Sequence, residues 1–174
     1  MTVRDFNQQR ETTSTVRGKG DLDLSQRSTE TLFSWTEGAP RTSYSAGKTI
    51  SLGDYQFARV SVVIEVEHSI EQEGDAFKTV KYLANEICEQ EEASILKQDR
   101  SVRDFNHGGF QKFRITLDYG LTLKTGRFDS SKLDVALTRY ALLPDLGTTL
   151  KGMRDTLSRR VQDEARSIKG ASEG

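Results

Sequence analysis

One hydrophobic pattern occurs twice in the 174-residue chain at a constant offset of 73 positions. Gly53 falls on Gly126, Tyr55 on Phe128 and Arg59 on Lys132, while Val60, Val62 and Ile64 fall on Leu133, Val135 and Leu137. Past a polar break, the same offset carries Phe77 to Leu150, Val80 to Met153, Ala84 to Leu157, Cys88 to Val161 and Ile95 to Ile168. The first group alternates at period two, as a half-buried strand does. The second recurs every three or four residues, as one face of a helix does. Amphipathic patterns that arise separately do not keep phase across a loop, so the spacing predicts a duplicated ββα unit.

The first unit spans 48–97. A short strand at Thr49–Leu52 leads into a Gly53-Asp54-Tyr55 turn, where Gly can take positive φ and the aromatic ring plugs the bend. A strand carrying Val60, Val62, Ile64 and Val66 follows, then a helix from Asp75, its expected N-cap, to about Lys97. Glu86, Glu89, Gln90 and Glu92 read as that helix's wet face. The second unit spans 110–169. Its first strand alternates Phe113, Ile115, Leu117, Tyr119, Leu121 and Leu123, and Thr125-Gly126-Arg127 repeats the earlier bend. Leu133, Val135 and Leu137 open its second strand, and a helix carries Leu150, Met153, Leu157 and Val161. Two such units predict an α+β fold. A four-stranded, mainly antiparallel sheet carries both helices on one face, in a ferredoxin-like layout with its final strand moved to the front. Residues 1–47, rich in Ser, Thr, Gln, Gly and Arg, read as a polar N-terminal arm, flexible or docking, ahead of a single domain at 48–170. Leu32, Phe33 and Trp35 are the arm's protein-interaction candidates.

Charge divides the chain more sharply than its net −1 suggests. Residues 1–48 carry 7 basic and 6 acidic side chains (+1), residues 49–99 carry 4 and 11 (−7), and residues 100–174 carry 14 and 9 (+5). This balance argues against a protein that holds polyanions by bulk charge alone. It favours contact between an acidic unit and a basic one, and so head-to-tail self-association. The single cysteine, Cys88, sits on the apolar helix stripe and is expected to be an inert core thiol in a reducing compartment. With no signal-peptide pattern and no long apolar run, the sequence predicts a cytoplasmic protein, in a bacterium or in a host cell, with no membrane partner.

Catalytic and ligand-binding motifs fail on inspection. Gly47-Lys48-Thr49 ends like a phosphate-binding loop, but Thr42 stands where the first Gly belongs and the segment enters a strand. His68 and His107 lack partners at zinc-ligand spacing, and Asp21-Leu22-Asp23 lacks the rest of a calcium loop. The expectation is a non-enzymatic protein without metal or cofactor. The sheet face left uncovered by helices holds the stronger signal. Phe57, Arg59, Lys112, Arg114, Lys132 and Tyr140 are spaced to share it, and Arg127 extends it at a turn. Cations interleaved with aromatic rings on an open sheet stack single-stranded bases and follow phosphates. The same face carries Glu65, Glu67, Asp118 and Asp134, which would instead pair with those cations across strands.

The run Ser51–Val66, SLGDYQFARVSVVIEV, followed by AFKTVKYLANEI, resembles small bacteriophage and mobile-element proteins with a Leu-Gly-x-Tyr-x-x-x-Arg-Val strand entry and an acidic helix. The likeness covers 48–95 and implies a phage or plasmid accessory protein. The sequence thus predicts an oligomeric accessory protein that binds single-stranded nucleic acid through its open sheet face. The alternative is a protein-interaction or self-assembling factor that engages a host or viral protein through its arm and its charge split.

Overall fold

The computed structural model describes residues 35–98, 100, 108–127 and 129–172. Its elements run β1 (Arg41–Gly53), β2 (Gln56–Glu67), α1 (Glu73–Ile95), β3 (Lys112–Lys124), β4 (Ser130–Leu142) and α2 (Leu146–Ser172). All neighbouring strands are antiparallel, in the order β1-β2-β3-β4. The fold is α+β, built of two ββα units on one open sheet. The offset of 73 holds in three dimensions. The 3₁₀ turn Ile70–Gln72 before α1 maps onto Leu143–Asp145 before α2, and Glu73 maps onto Leu146. The hairpins share one register, since Arg41↔Glu67 in the first corresponds to Arg114↔Tyr140 in the second.

The strand order departs from a permuted ferredoxin-like sheet, whose strands interleave. β3 begins beside the end of β2, with Glu65 opposite Arg114, so the second hairpin continues the sheet as a meander. Each helix covers its own hairpin, α1 over β1 and β2, α2 over β3 and β4. The core lies between helices and sheet, and Val62, Ile64, Phe113, Ile115 and Leu117 are fully excluded from solvent there. Each such side chain contributes roughly 1.5–3 kcal/mol.

β1 is longer than the sequence indicated. It begins at Arg41, so residues 41–47 belong to the sheet and not to an arm. Its helix-facing positions are Thr42, Tyr44, Ala46, Lys48 and Ile50, an apolar row broken by a cation. Lys48 is accommodated because its ammonium pairs with Glu92 on α1. That hydrogen bond outweighs desolvation and raises the lysine pKa. His68, one residue past β2, is buried and bonds through its ring to Thr42 Oγ1 at 2.7 Å and the Ser69 carbonyl at 2.7 Å.

α1 also differs in detail. Its chain entry is organised by Ser69, whose backbone N–H donates to Gln72 Oε1 at 3.1 Å, and not by an Asp75 cap. The buried stripe includes Leu83 and Glu91, whereas Phe77 is 48% exposed at the β1 edge. Cys88 is buried as expected, and burial pushes its thiol pKa up.

Candidate nucleic-acid interface

The helix-free face is built by alternation. In β2, β3 and β4 the residues between core positions point away from the helices. That places Phe57, Arg59, Lys112, Arg114, Lys132 and Tyr140 on the open face together. Sharing a face does not make them one site. The face has two ends with different character.

At the end where β2 finishes, the side chains contact one another, although Arg114 Nε is buried without a hydrogen-bond partner among the described residues. Glu65 forms ion pairs with Arg41 at 3.6 Å and with Arg114 at 3.7 Å. The Arg114 guanidinium lies 5.9 Å from the Tyr140 ring centre. Trp35 meets Tyr140 edge to face with centroids 6.2 Å apart, and Arg41 sits 5.3 Å from the indole. Glu67 accepts the Thr36 backbone N–H at 2.6 Å. Trp35, expected to reach a partner, is thus laid on its own sheet, where it covers Tyr140. Leu32, Phe33, His107 and Phe128 lie outside the described residues.

The middle is a shallow depression lined by Gly47, Thr49, Arg59, Ser61, Asp118 and Asp134. Arg59 crosses β3 to bond Asp134 at 2.6 Å. It crosses at Gly120, where a β-carbon would collide with both side chains, so this glycine keeps the path open. Asp118 beside them is half-buried. Burial first, then the neighbouring Asp134 charge, raises its pKa, against a smaller opposing pull from Arg59.

The turn end is different. Gly53, Asp54 and Tyr55 all take positive φ (87°, 49° and 61°), which forms a tight hairpin with a bulge at Ser51/Gly53. This conformation throws the Tyr55 ring outward, 80% exposed, with Lys124 Nζ 5.7 Å from its centre. The ring does not plug the bend. The second turn is no copy of the first: Thr125 and Gly126 N–H groups both reach the Asp129 carbonyl, and Gly126 lacks the positive φ of Gly53. Phe57, 39% exposed, shares a cross-strand row with Thr122 and Lys132. Arg127 is exposed in the adjacent turn. Tyr55, Phe57, Lys124, Arg127 and Lys132 therefore gather at one rim of the sheet. Tyr55 and Lys124 were missed as candidates; the Tyr55 signal was the Gly-Asp-Tyr hairpin, which favours positive φ.

The most deeply buried polar cluster lies on the other side of the sheet. Glu91 on α1 is fully buried, not part of a wet helix face. It accepts two hydrogen bonds from Arg154 Nε at 3.0 Å and one from Nη2 at 2.6 Å, and the Tyr119 hydroxyl also donates to it. Burial and the adjacent Glu91 charge push the Tyr119 phenol far above its ordinary pKa. The hydrogen bond to Glu91 raises the Arg154 pKa. The cluster ties α1, β3 and α2 together and has the character of a structural clasp.

Comparison with known family models, curated proteins and solved structures finds no match. Among the described residues, no helix is long and apolar enough to cross a membrane.

Proposed function

We propose that the chain is a non-enzymatic protein that binds single-stranded nucleic acid along the turn rim of its open sheet face. The observation that carries this reading is the outward Tyr55 and Phe57 flanked by Lys124 and Lys132, with Arg127 in the adjacent turn, on a face that no helix covers among the described residues. Exposed rings offer stacking platforms that every base can use, and the surrounding cations follow phosphates. Arg59, Arg114 and Tyr140 support the rim, because their partners are already supplied by Asp134, Glu65 and Trp35. The phage or mobile-element origin implied by the resemblance of residues 48–95 fits such an accessory role.

Fluorescence anisotropy with a labelled oligonucleotide at several salt concentrations tests the reading. Phosphate contacts by Lys124 and Lys132 predict a log–log salt slope of about −1.4, at about 0.7 per contact for single strands. Tyr55→Ala is expected to weaken binding by about 5- to 150-fold, from roughly 1–3 kcal/mol per stacked base. Arg114→Ala is expected to leave affinity nearly unchanged. Absence of binding at low salt, or equal losses for Arg114→Ala and Lys132→Ala, refutes the proposal.

A further inference from the structure

Both outer strands of the sheet, β1 and β4, are 13 residues long, about twice the usual strand length, and neither contains proline. Among the described residues, each pairs on one side only. Long edges are normally shortened, kinked or covered, because their free backbone groups template pairing with another chain; β1 has an inward Lys48 and a bulge at its turn end, yet keeps a regular register from Arg41 to Ser51. The internal repeat identifies the template. β4 is the equivalent of β2, and β1 is the equivalent of β3. Inside the chain, β2 pairs β3 with Val62 opposite Leu117 and Val63 opposite Thr116. Moving both partners by 73 positions turns these pairs into Val135 opposite Tyr44 and Ala136 opposite Ser43, on two different copies.

We propose that the chain assembles with further copies of itself head to tail, β4 of one copy pairing with β1 of the next in the register with which β2 pairs β3. Helix-facing residues then meet helix-facing residues, because Val135 and Tyr44 both point to the core side. The side chains at the two edges match this role. Leu150 is 4% exposed where the units join, while its equivalent Phe77 is 48% exposed and meets the Tyr44 ring, with centroids 6.1 Å apart. At the other edge, Leu133 and Val135 are half-buried, whereas their equivalents Val60 and Val62 are 1% and 0% exposed under β3. The edges thus leave partly exposed the residues that the internal joint buries.

Charge agrees. α1 carries 6 acidic and 2 basic residues (−4), and α2 carries 6 basic and 3 acidic (+3). Stacking copies sets α2 of one beside α1 of the next. The buried Glu91–Arg154 bridge has Glu164 and Lys81 as its equivalents, and both are exposed in the single chain. An acid is again opposite a base, now across the joint. A heterologous interface of this kind closes into a ring or runs on as a filament, according to the rotation per copy.

The test uses the full chain and two one-sided blocks. Phe77→Asp disables the β1 edge and Val135→Asp the β4 edge. Light scattering is expected to show a multimer for the wild type, monomers for each variant, and a 1:1 heterodimer when the two are mixed. Disulfide trapping is independent of the folding of either variant. Ser43→Cys and Ala136→Cys, both at exposed positions, are expected to cross-link between copies, whereas Ser43→Cys with Lys132→Cys is not. A monomeric wild type, a wild-type dimer that both blocks leave intact, or cross-linking in the wrong register overturns the proposal. Nucleic-acid binding by a strict monomer would leave the functional reading standing and remove this one alone.

Discussion

Replacing Arg154 by methionine isolates the energetics of the clasp between the helices. Methionine retains most of the aliphatic volume but removes all three hydrogen bonds to Glu91. Glu91 then stays in a fully buried position with only the Tyr119 hydroxyl as partner. Breaking a buried pair from one side costs about 3–5 kcal/mol, because the charge left behind is uncompensated. Arg154 itself is 30% exposed, so water can reach part of the vacated space, and the lower figure of about 3 kcal/mol is expected here. With a urea m-value of about 1.5 kcal/mol/M, the unfolding midpoint should fall by about 2 M. Glu91→Gln keeps a neutral acceptor for both partners and should cost less. The double variant Glu91→Leu/Arg154→Leu buries no charge and should be more stable than Arg154→Met, retaining at most the cost of about 1–3 kcal/mol for a Tyr119 hydroxyl without its acceptor. Equilibrium urea unfolding followed by circular dichroism measures all three. A midpoint for Arg154→Met within the fitting error of wild type, or a double variant as unstable as the single losses added together, refutes the account.

Gly53→Ala places a β-carbon at φ +87° and should cost about 1 kcal/mol, read as a lower melting temperature, with Gly74→Ala as a control inside α1. Asp118 has a native pKa raised above its unfolded value, so the native state binds the extra proton. Its charge opposes folding at neutral pH, and that penalty is relieved as pH falls towards the native pKa. Asp118→Asn should therefore melt higher than wild type at pH 7, and the difference should shrink in acid. Thermal melts across the acid range decide this, and a gap that widens on acidification reverses the sign of the argument.

The repeat was legible because it is written in the local sequence. Period two and period 3.6 each survive within a segment, and one offset joins them. What was not legible depends on partners far along the chain. Period alone puts Glu91 on the apolar stripe with Ile87, Cys88 and Ile95 and separates it from Glu89 and Glu92, but its guanidinium partner lies 63 residues away and is brought beside it only when both helices settle on the sheet. Arg59 could equally have been a phosphate ligand, and its partner Asp134 is 75 residues distant. The helix-facing row of β1 is interrupted by Lys48, and its compensation by Glu92 is again tertiary. Phe77 matched the helix period but stands at the margin of the stripe, where period alone cannot separate a core residue from an edge residue.

The two proposals meet at the turn rim. Both hairpin turns lie at the same end of the sheet, since Phe57 near the first turn is opposite Thr122 near the second. Head-to-tail pairing keeps that polarity, so every copy in an assembly would present Tyr55, Lys124, Arg127 and Lys132 on one side. Four strands at about 4.8 Å spacing give each copy about 19 Å of rim. On this proposal a single rim would offer few cations and weak binding, whereas a row of rims joined by fixed geometry would engage one strand many times over. Affinity for long oligonucleotides should therefore exceed that for short ones in the wild type, and this gain should vanish in Phe77→Asp, which keeps its rim but loses its neighbours. Equal length dependence in the two proteins, measured by anisotropy across an oligonucleotide series, would show that the rim works without the assembly.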